Sequence, residues 1–228
     1  MHLARLLIRY IAPALLVGWL SGAAIANNQA GPVTIIEATT ARIMAIVREA
    51  PAYFDDDPER FYSAIETVLD ETIDWRGFAK GVMGEYASNA RYRSLDSTGR
   101  KELKEQLESF TDVMKSSLVR TYAKGLLAFS GSEFEIVKDD ALDPDARSAS
   151  ITQLVYGTGD RVYTMRYQMG RSKGGYWRMR NLIVEDINLG QIYQSQFSSA
   201  AKSAGGDLAI VIGEWDISST ISEDSDDE

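Results

Sequence analysis

The strongest pattern in the chain is one apolar stripe. Leu103, Leu107, Phe110, Met114, Leu118, Tyr122, Leu126 and Phe129 follow one another at steps of three or four residues. That spacing keeps all of them on one face of an α-helix and predicts a long helix from about 98 to 128, with Ser97 as N-cap and Gly125 loosening its last turns. Shorter stripes precede it. Ile36, Ile43, Ile46 and Val47 mark a helix over 34–50, stopped by Pro51. Asp57-Pro58 starts a second helix carrying Phe61, Ile65, Val68 and Leu69, and Asp74 opens a third with Trp75, Phe78 and Val82 inward and a turn at Gly84.

From Phe134 the period switches from 3.6 to 2. Phe134–Val137, Ser148–Tyr156, Arg161–Met169 and Tyr176–Ile187 read as four strands, joined by connections short enough for an antiparallel meander. In the third, Tyr163, Met165, Tyr167 and Met169 share one face, and Thr164, Arg166 and Gln168 the other. Leu182-Ile183-Val184 is apolar on both faces, which predicts a central strand buried from both sides. Helical spacing returns over 189–203 with Leu189, Ile192, Tyr193 and Phe197 inward. It ends at Gly205-Gly206, and Asp207 caps a last short helix with Leu208, Ile210, Val211 and Ile212. Helices, then sheet, then helices predict an α+β domain: a twisted antiparallel sheet of about four strands, wrapped by N-terminal and C-terminal helices.

The two ends read differently. Arg5 and Arg9 with no acid, an apolar run from Tyr10 to Leu20, and the small residues Ser21–Ala26 have the order of a secretory signal peptide over residues 1–26. The alternative, a membrane anchor, wants roughly 20 apolar residues, more than this run provides. Residues 27–215 then form a single domain, and 216–228, ending Glu-Asp-Ser-Asp-Asp-Glu, a disordered acidic tail.

Composition narrows the chemistry. The chain has 24 basic and 33 acidic residues, a net charge of −9, no cysteine, and one histidine, His2, inside the leader. Removing the leader strips two arginines and no acid, so the exported part is more acidic still and a poor match for nucleic acid. Thiol nucleophiles, Ser-His-Asp triads, disulfide scaffolds and the usual zinc sites are excluded. The acidic run Asp139 to Asp145 lacks the alternating ligands and glycine of a calcium loop and reads as a solvated turn. Gly170–Gly175 joins two strands, so it is no phosphate loop. Glu185 and Asp186 point to opposite faces of a strand and cannot act as a facing acid/base pair; Glu185 reads as a buried carboxylate bonded to backbone. What remains is an excess of Met and aromatic residues on the long stripe and the third strand. They suit an adaptable apolar pocket or an ordinary core, and periodicity does not separate the two.

Four segments carry a resemblance. Asp74-Trp-Arg-Gly-Phe78-Ala-Lys-Gly-Val82-Met-Gly84-Glu-Tyr86, the helix with Phe110, Leu118 and Tyr122, Trp177-Arg-Met-Arg-Asn181-Leu-Ile-Val184-Glu185, and Tyr193-Gln-Ser-Gln-Phe197 stand in the order found in the MlaC, or toluene-tolerance, family. The chain resembles that family from about residue 35 to 213. Two departures stand out. The family usually has Asp where Asn181 stands, and Glu-Gly-(Val/Ile)-Ser where this chain has Glu185-Asp186-Ile187-Asn188. A hopanoid-associated branch of the family is one alternative they raise.

The resemblance implies a periplasmic phospholipid carrier with an apolar cavity between sheet and helices. It implies exchange of lipid between an outer-membrane lipoprotein–porin complex and an inner-membrane ABC transporter with an MCE-domain subunit, with no catalytic residue, metal or cofactor. The expected lining is Val82, Met83, Tyr86, Phe110, Met114, Leu118, Tyr122, Tyr163, Met165, Tyr167, Trp177, Leu182 and Val184, with strand facing taken from alternation. Rival readings are a carrier of another apolar lipid and a carboxylate-dependent hydrolase, for which no motif is present.

Overall fold

The computed structural model describes residues 30–137, 143–157 and 161–215. The expected leader, the acidic tail and most of the Asp139–Asp145 run lie outside them. The described elements run α1 (Pro32–Glu49), α2 (Pro58–Thr72), α3 (Trp75–Met83), α4 (Asn89–Ser94), α5 (Ser97–Ala123), β1 (Glu133–Val137), β2 (Ser148–Tyr156), β3 (Val162–Arg171), β4 (Trp177–Val184), β5 (Ile187–Asn188), α6 (Leu189–Ser203) and α7 (Leu208–Gly213). The class is α+β as expected, with one sheet ordered β1-β2-β3-β4-β5 and antiparallel throughout.

Local chemistry explains the boundaries. Asp57, Asp74 and Asp207 cap α2, α3 and α7, each accepting a hydrogen bond from a first-turn backbone N–H. The cap of α5 is Asp96 rather than Ser97: its carboxylate accepts from Gly99 N at 2.8 Å. Ser88 caps the short α4, which buries no side chain and so leaves no stripe in the sequence. The long helix stops at Ala123 and tightens into a 3-10 segment, Lys124–Phe129, around Gly125.

The expected fourth strand breaks in two. Glu185 takes a left-handed φ of 53°, turning the chain after Val184, and Ile187-Asn188 doubles back to pair with Val184 and Ile183. The Glu185 carboxylate accepts from Thr164 N at 2.5 Å; it is bonded to backbone as expected but exposed rather than buried. Leu182, Ile183 and Val184 are only half-buried, so the expectation of a strand buried on both faces is corrected. The face holding Ile183 looks to solvent, and β5 is too short to shield it.

The register explains how the sheet presents its side chains. Ala149, Ile151, Gln153 and Val155 pair with Met169, Tyr167, Met165 and Tyr163, and Tyr167 and Met165 pair with Leu182 and Val184. These residues form one inner face, with the solvated face behind them. A register shift beside Gln168/Met169 leaves Arg180 unopposed, so Met179 and Trp177 fall on the same inner face as Leu182 and Val184 despite their opposite parity.

The interior is divided among three apolar clusters. Phe78, Val82, Met83, Leu103, Leu107, Phe110, Met114, Tyr193, Phe197 and the apolar side of α7 make a helical core. Met44, Val47, Phe61, Ile65, Val119 and Ala123 join α1, α2 and the end of α5. Ile36 of α1 closes over Ile151, Met169 and Trp177 at one end of the sheet. Between the last two runs a polar seam. Thr39 and Thr72 hydroxyls bond at 2.8 Å, Gln153 Nε2 donates to Thr40 Oγ1 at 3.1 Å, and Tyr167 OH donates to Gln153 Oε1 at 2.8 Å. Burial pushes the Tyr167 hydroxyl pKa up, so it serves as a neutral donor.

Candidate functional site

The long stripe changes role halfway along α5. Its first four members, Leu103, Leu107, Phe110 and Met114, are at most 5% exposed and sit in the helical core. In the second half the buried positions are Val119 and Ala123, one residue further on, packed against α1 and α2. The stripe's last four members, Leu118, Tyr122, Leu126 and Phe129, are therefore left half-covered, and Tyr122 is 37% exposed.

The inner face of the sheet shows the same division. Under α1 it is closed at Ile151, Met169 and Trp177. Toward the far end Tyr163, Met165, Leu182 and Val184 are only half-buried, although all are apolar or aromatic and face inward, while Tyr167 packs against the closed end. The two half-covered surfaces meet where the Phe129 ring packs edge-on against Tyr163, with centroids 5.8 Å apart. Arg161 stands over that same ring, 5.7 Å from its centroid, so the rim carries a cation.

Helix α6, whose apolar side packs into the helical core, is tied to both surfaces by two contacts. At its start Asn181 of β4 donates from Nδ2 to Asn188 Oδ1 at 2.8 Å and accepts from Gly190 N at 3.0 Å. Asn188 is itself the N-cap, accepting from Gln191 N at 3.2 Å. A Cβ at Gly190 would stand 2.7 Å from Asn181 Oδ1, so any larger residue would push the Asn181 amide out of this arrangement. One turn on, the hydroxyl of Tyr193 bonds that of Tyr122. Tyr193 is wholly buried, and burial together with that bond pushes its pKa up, so it stays neutral.

The thirteen expected lining residues thus separate into two groups. The structure leaves Leu118, Tyr122, Tyr163, Met165, Leu182 and Val184 only partly covered on these two surfaces, and places Tyr167 against the closed end of the sheet, bonded to Gln153. It packs Val82, Met83, Phe110 and Met114 inside the helical core, with Tyr86 at its margin, and Trp177 under α1. Phe129, which the expected lining omits, stands against Tyr163, and continuation of the same stripe is the signal that finds it; Leu126 packs against the cluster of α1, α2 and the end of α5. A separate shallow groove between α5 and α7, lined by Glu102, Glu105, Gln106, Ser109 and Val113 with Ala209, Ile212 and Gly213, holds none of the expected residues. Among the described residues no three His, Asp or Glu side chains gather as metal ligands. No described helix is long and apolar enough to cross a membrane.

A family model described as MlaC protein matches residues 37–215. The chain belongs to the MlaC family. It is 28% identical over 184 residues, 81% of this chain and 79% of the relative, to the toluene tolerance protein ttg2D of Pseudomonas putida. A phospholipid-binding protein from Ralstonia solanacearum, solved in complex with a phospholipid, superposes with a TM-score of 0.67 at 17% identity, covering 81% of this chain and 94% of that one. At that identity the likeness shows a shared fold. Set against the usual MlaC pattern, the two departures touch one another. The usual Asp and Ser occupy the positions of Asn181 and Asn188. Here the two side chains share an amide-to-amide hydrogen bond.

Proposed function

We propose that this MlaC-family chain is a periplasmic phospholipid carrier. Acyl chains lie in the groove between the inner face of β3–β4, the second half of α5 and the start of α6, and the head group stays at the rim. The observation that carries this reading is the set of inward-facing apolar side chains left half-covered by the protein's own helices. A full core would have covered them, as it does at Met169 and Trp177. Each buried CH₂ contributes about 0.8 kcal/mol, so a pair of long acyl chains cannot leave a bilayer unaided, and a groove of this kind replaces the bilayer in transit. The family resemblance supports the finer reading: exchange between an outer-membrane lipoprotein–porin complex and an inner-membrane ABC transporter with an MCE-domain subunit. The work at this site is binding, and the reading assigns no residue a catalytic role.

The test is uptake. Delipidated protein is incubated with phosphatidylglycerol and phosphatidylethanolamine vesicles, re-isolated by gel filtration and weighed by native mass spectrometry. A mass increment of one phospholipid per chain is expected. A bare mass would overturn the proposal, and an adduct other than a phospholipid would redirect it to another apolar lipid such as a hopanoid.

A further inference from the structure

The Tyr122–Tyr193 pair is the one polar contact across the groove wall between α5 and α6, among the described residues, in which both partners are hydroxyls. Two hydroxyls share one hydrogen bond, so one O–H proton is left over. Burial decides whose. Tyr193 is fully buried and has no second acceptor among the described residues, so a free proton on it would be an orphaned donor. Tyr193 therefore donates and Tyr122 accepts. The leftover proton belongs to Tyr122, which is 37% exposed and continues the half-covered stripe between Leu118 and Leu126. A hydroxyl that already accepts a hydrogen bond is polarised into a better donor.

We propose that Tyr122 is a specificity-determining residue of the lipid site: its hydroxyl, polarised by Tyr193, donates to an oxygen of the bound phospholipid, either an ester carbonyl or a phosphoryl oxygen. This rests on the carrier reading above. It also goes beyond it, because apolar walls hold any greasy molecule, whereas one oriented donor favours a lipid with oxygen at the junction of tail and head. Tyr193 is a positioning residue that acts through Tyr122.

The experiment compares wild type with Tyr122→Phe, a change on a half-exposed side chain that keeps the ring. Each delipidated protein is titrated with diphenylhexatriene, a hydrocarbon probe without oxygen, and with diester and diether phosphatidylglycerols of the same chain length. Tyr122→Phe is expected to weaken phospholipid binding about fivefold to tenfold, the worth of one hydrogen bond, with probe binding held within about twofold. A loss confined to the diester assigns the ester carbonyl, and an equal loss on both lipids assigns the phosphoryl oxygen. Tyr193→Phe is expected to give a smaller loss in the same direction; if it fails to fold, Tyr122→Phe still decides. Unchanged phospholipid affinity, or an equal loss for the hydrocarbon, would overturn the inference. If wild type binds neither phospholipid nor probe, the carrier reading itself fails.

Discussion

Asn181→Asp restores the side chain usual in the family, and the structure predicts that it destabilises this chain. Asn181 donates to Gln168 Oε1 at 2.9 Å and to Asn188 Oδ1 at 2.8 Å, and accepts from Gly190 N at 3.0 Å. A carboxylate keeps only the last of these. Gln168 is exposed and can rotate its amide to donate instead, so that loss is close to zero. Asn188 Oδ1 cannot turn away without abandoning the N-cap of α6, so it would face a carboxylate oxygen across a half-buried gap. The lost bond costs about 1 kcal/mol and the two facing acceptors about as much again, for a total near 1.5–3 kcal/mol. For a domain of this size that lowers Tm by roughly 4–10 °C. Urea unfolding followed by far-UV circular dichroism measures it directly. The partner substitution Asn188→Ser supplies an O–H that can donate to the introduced carboxylate and still cap the helix. The double variant should therefore recover at least about 1 kcal/mol over the sum of the single changes. A single variant within about 0.5 kcal/mol of wild type, or a strictly additive double, would refute this account of the joint.

Three further predictions concern the core, the groove and the surface. Phe110→Ala should cost about 3–5 kcal/mol in chemical denaturation, because the ring is fully buried and packs edge-on to Phe197 at 4.8 Å and Trp215 at 5.1 Å. Met165→Glu and Leu118→Glu should cut phospholipid uptake at least about tenfold in the vesicle assay while leaving Tm within several degrees. Val82→Glu, at a site 1% exposed, should abolish folding outright. Similar Tm losses for all three would make the groove part of the core. Glu59 and Glu71 have pKa values lowered from 4.5 by hydrogen bonds from Arg120 and Arg42. A lowered carboxylate pKa gives stability that is complete above the unfolded value and disappears as pH falls through the folded one. Stability should therefore fall with acidification from about pH 5 downward, and Glu59→Gln with Glu71→Gln should flatten that slope in a pH series of melts, with high salt shrinking the difference.

Much of the fold is written in periodicity. The α5 stripe, the alternation of β3 and the aspartate caps of α2, α3 and α7 depend on neighbours within a few residues, and each stands where the pattern puts it. What escapes a local reading depends on distant partners. Nothing local distinguishes Phe110 from Tyr122, two members of one stripe, because their difference lies in what α1, α2 and α6 cover. Trp177 and Leu182 have opposite parity and face the same way only because of the irregularity beside Met169, a property of strand pairing rather than of either segment. Glu185 carries no turn signature, and its left-handed backbone arises where β4 must reverse onto itself. On β3 the facing of Tyr163, Met165, Tyr167 and Met169 is legible because alternation sets it. The helical site residues mix with core because a stripe tells which side is apolar and not whether that side is filled.

The changeover along α5 has a consequence for how such a protein can diverge. On the proposed reading, one continuous helix answers to two separate demands: its first half is constrained by the volume of a sealed interior, and the open side of its second half by the shape of a guest. On the proposed carrier reading, replacements at Tyr122 or Met165 alter what fits without disturbing what keeps the chain folded, whereas Leu107 or Phe110 tolerate only near-isosteric exchange. Descendants of this chain can therefore broaden or narrow their cargo by small steps at a handful of positions, with the scaffold insulated from the experiment.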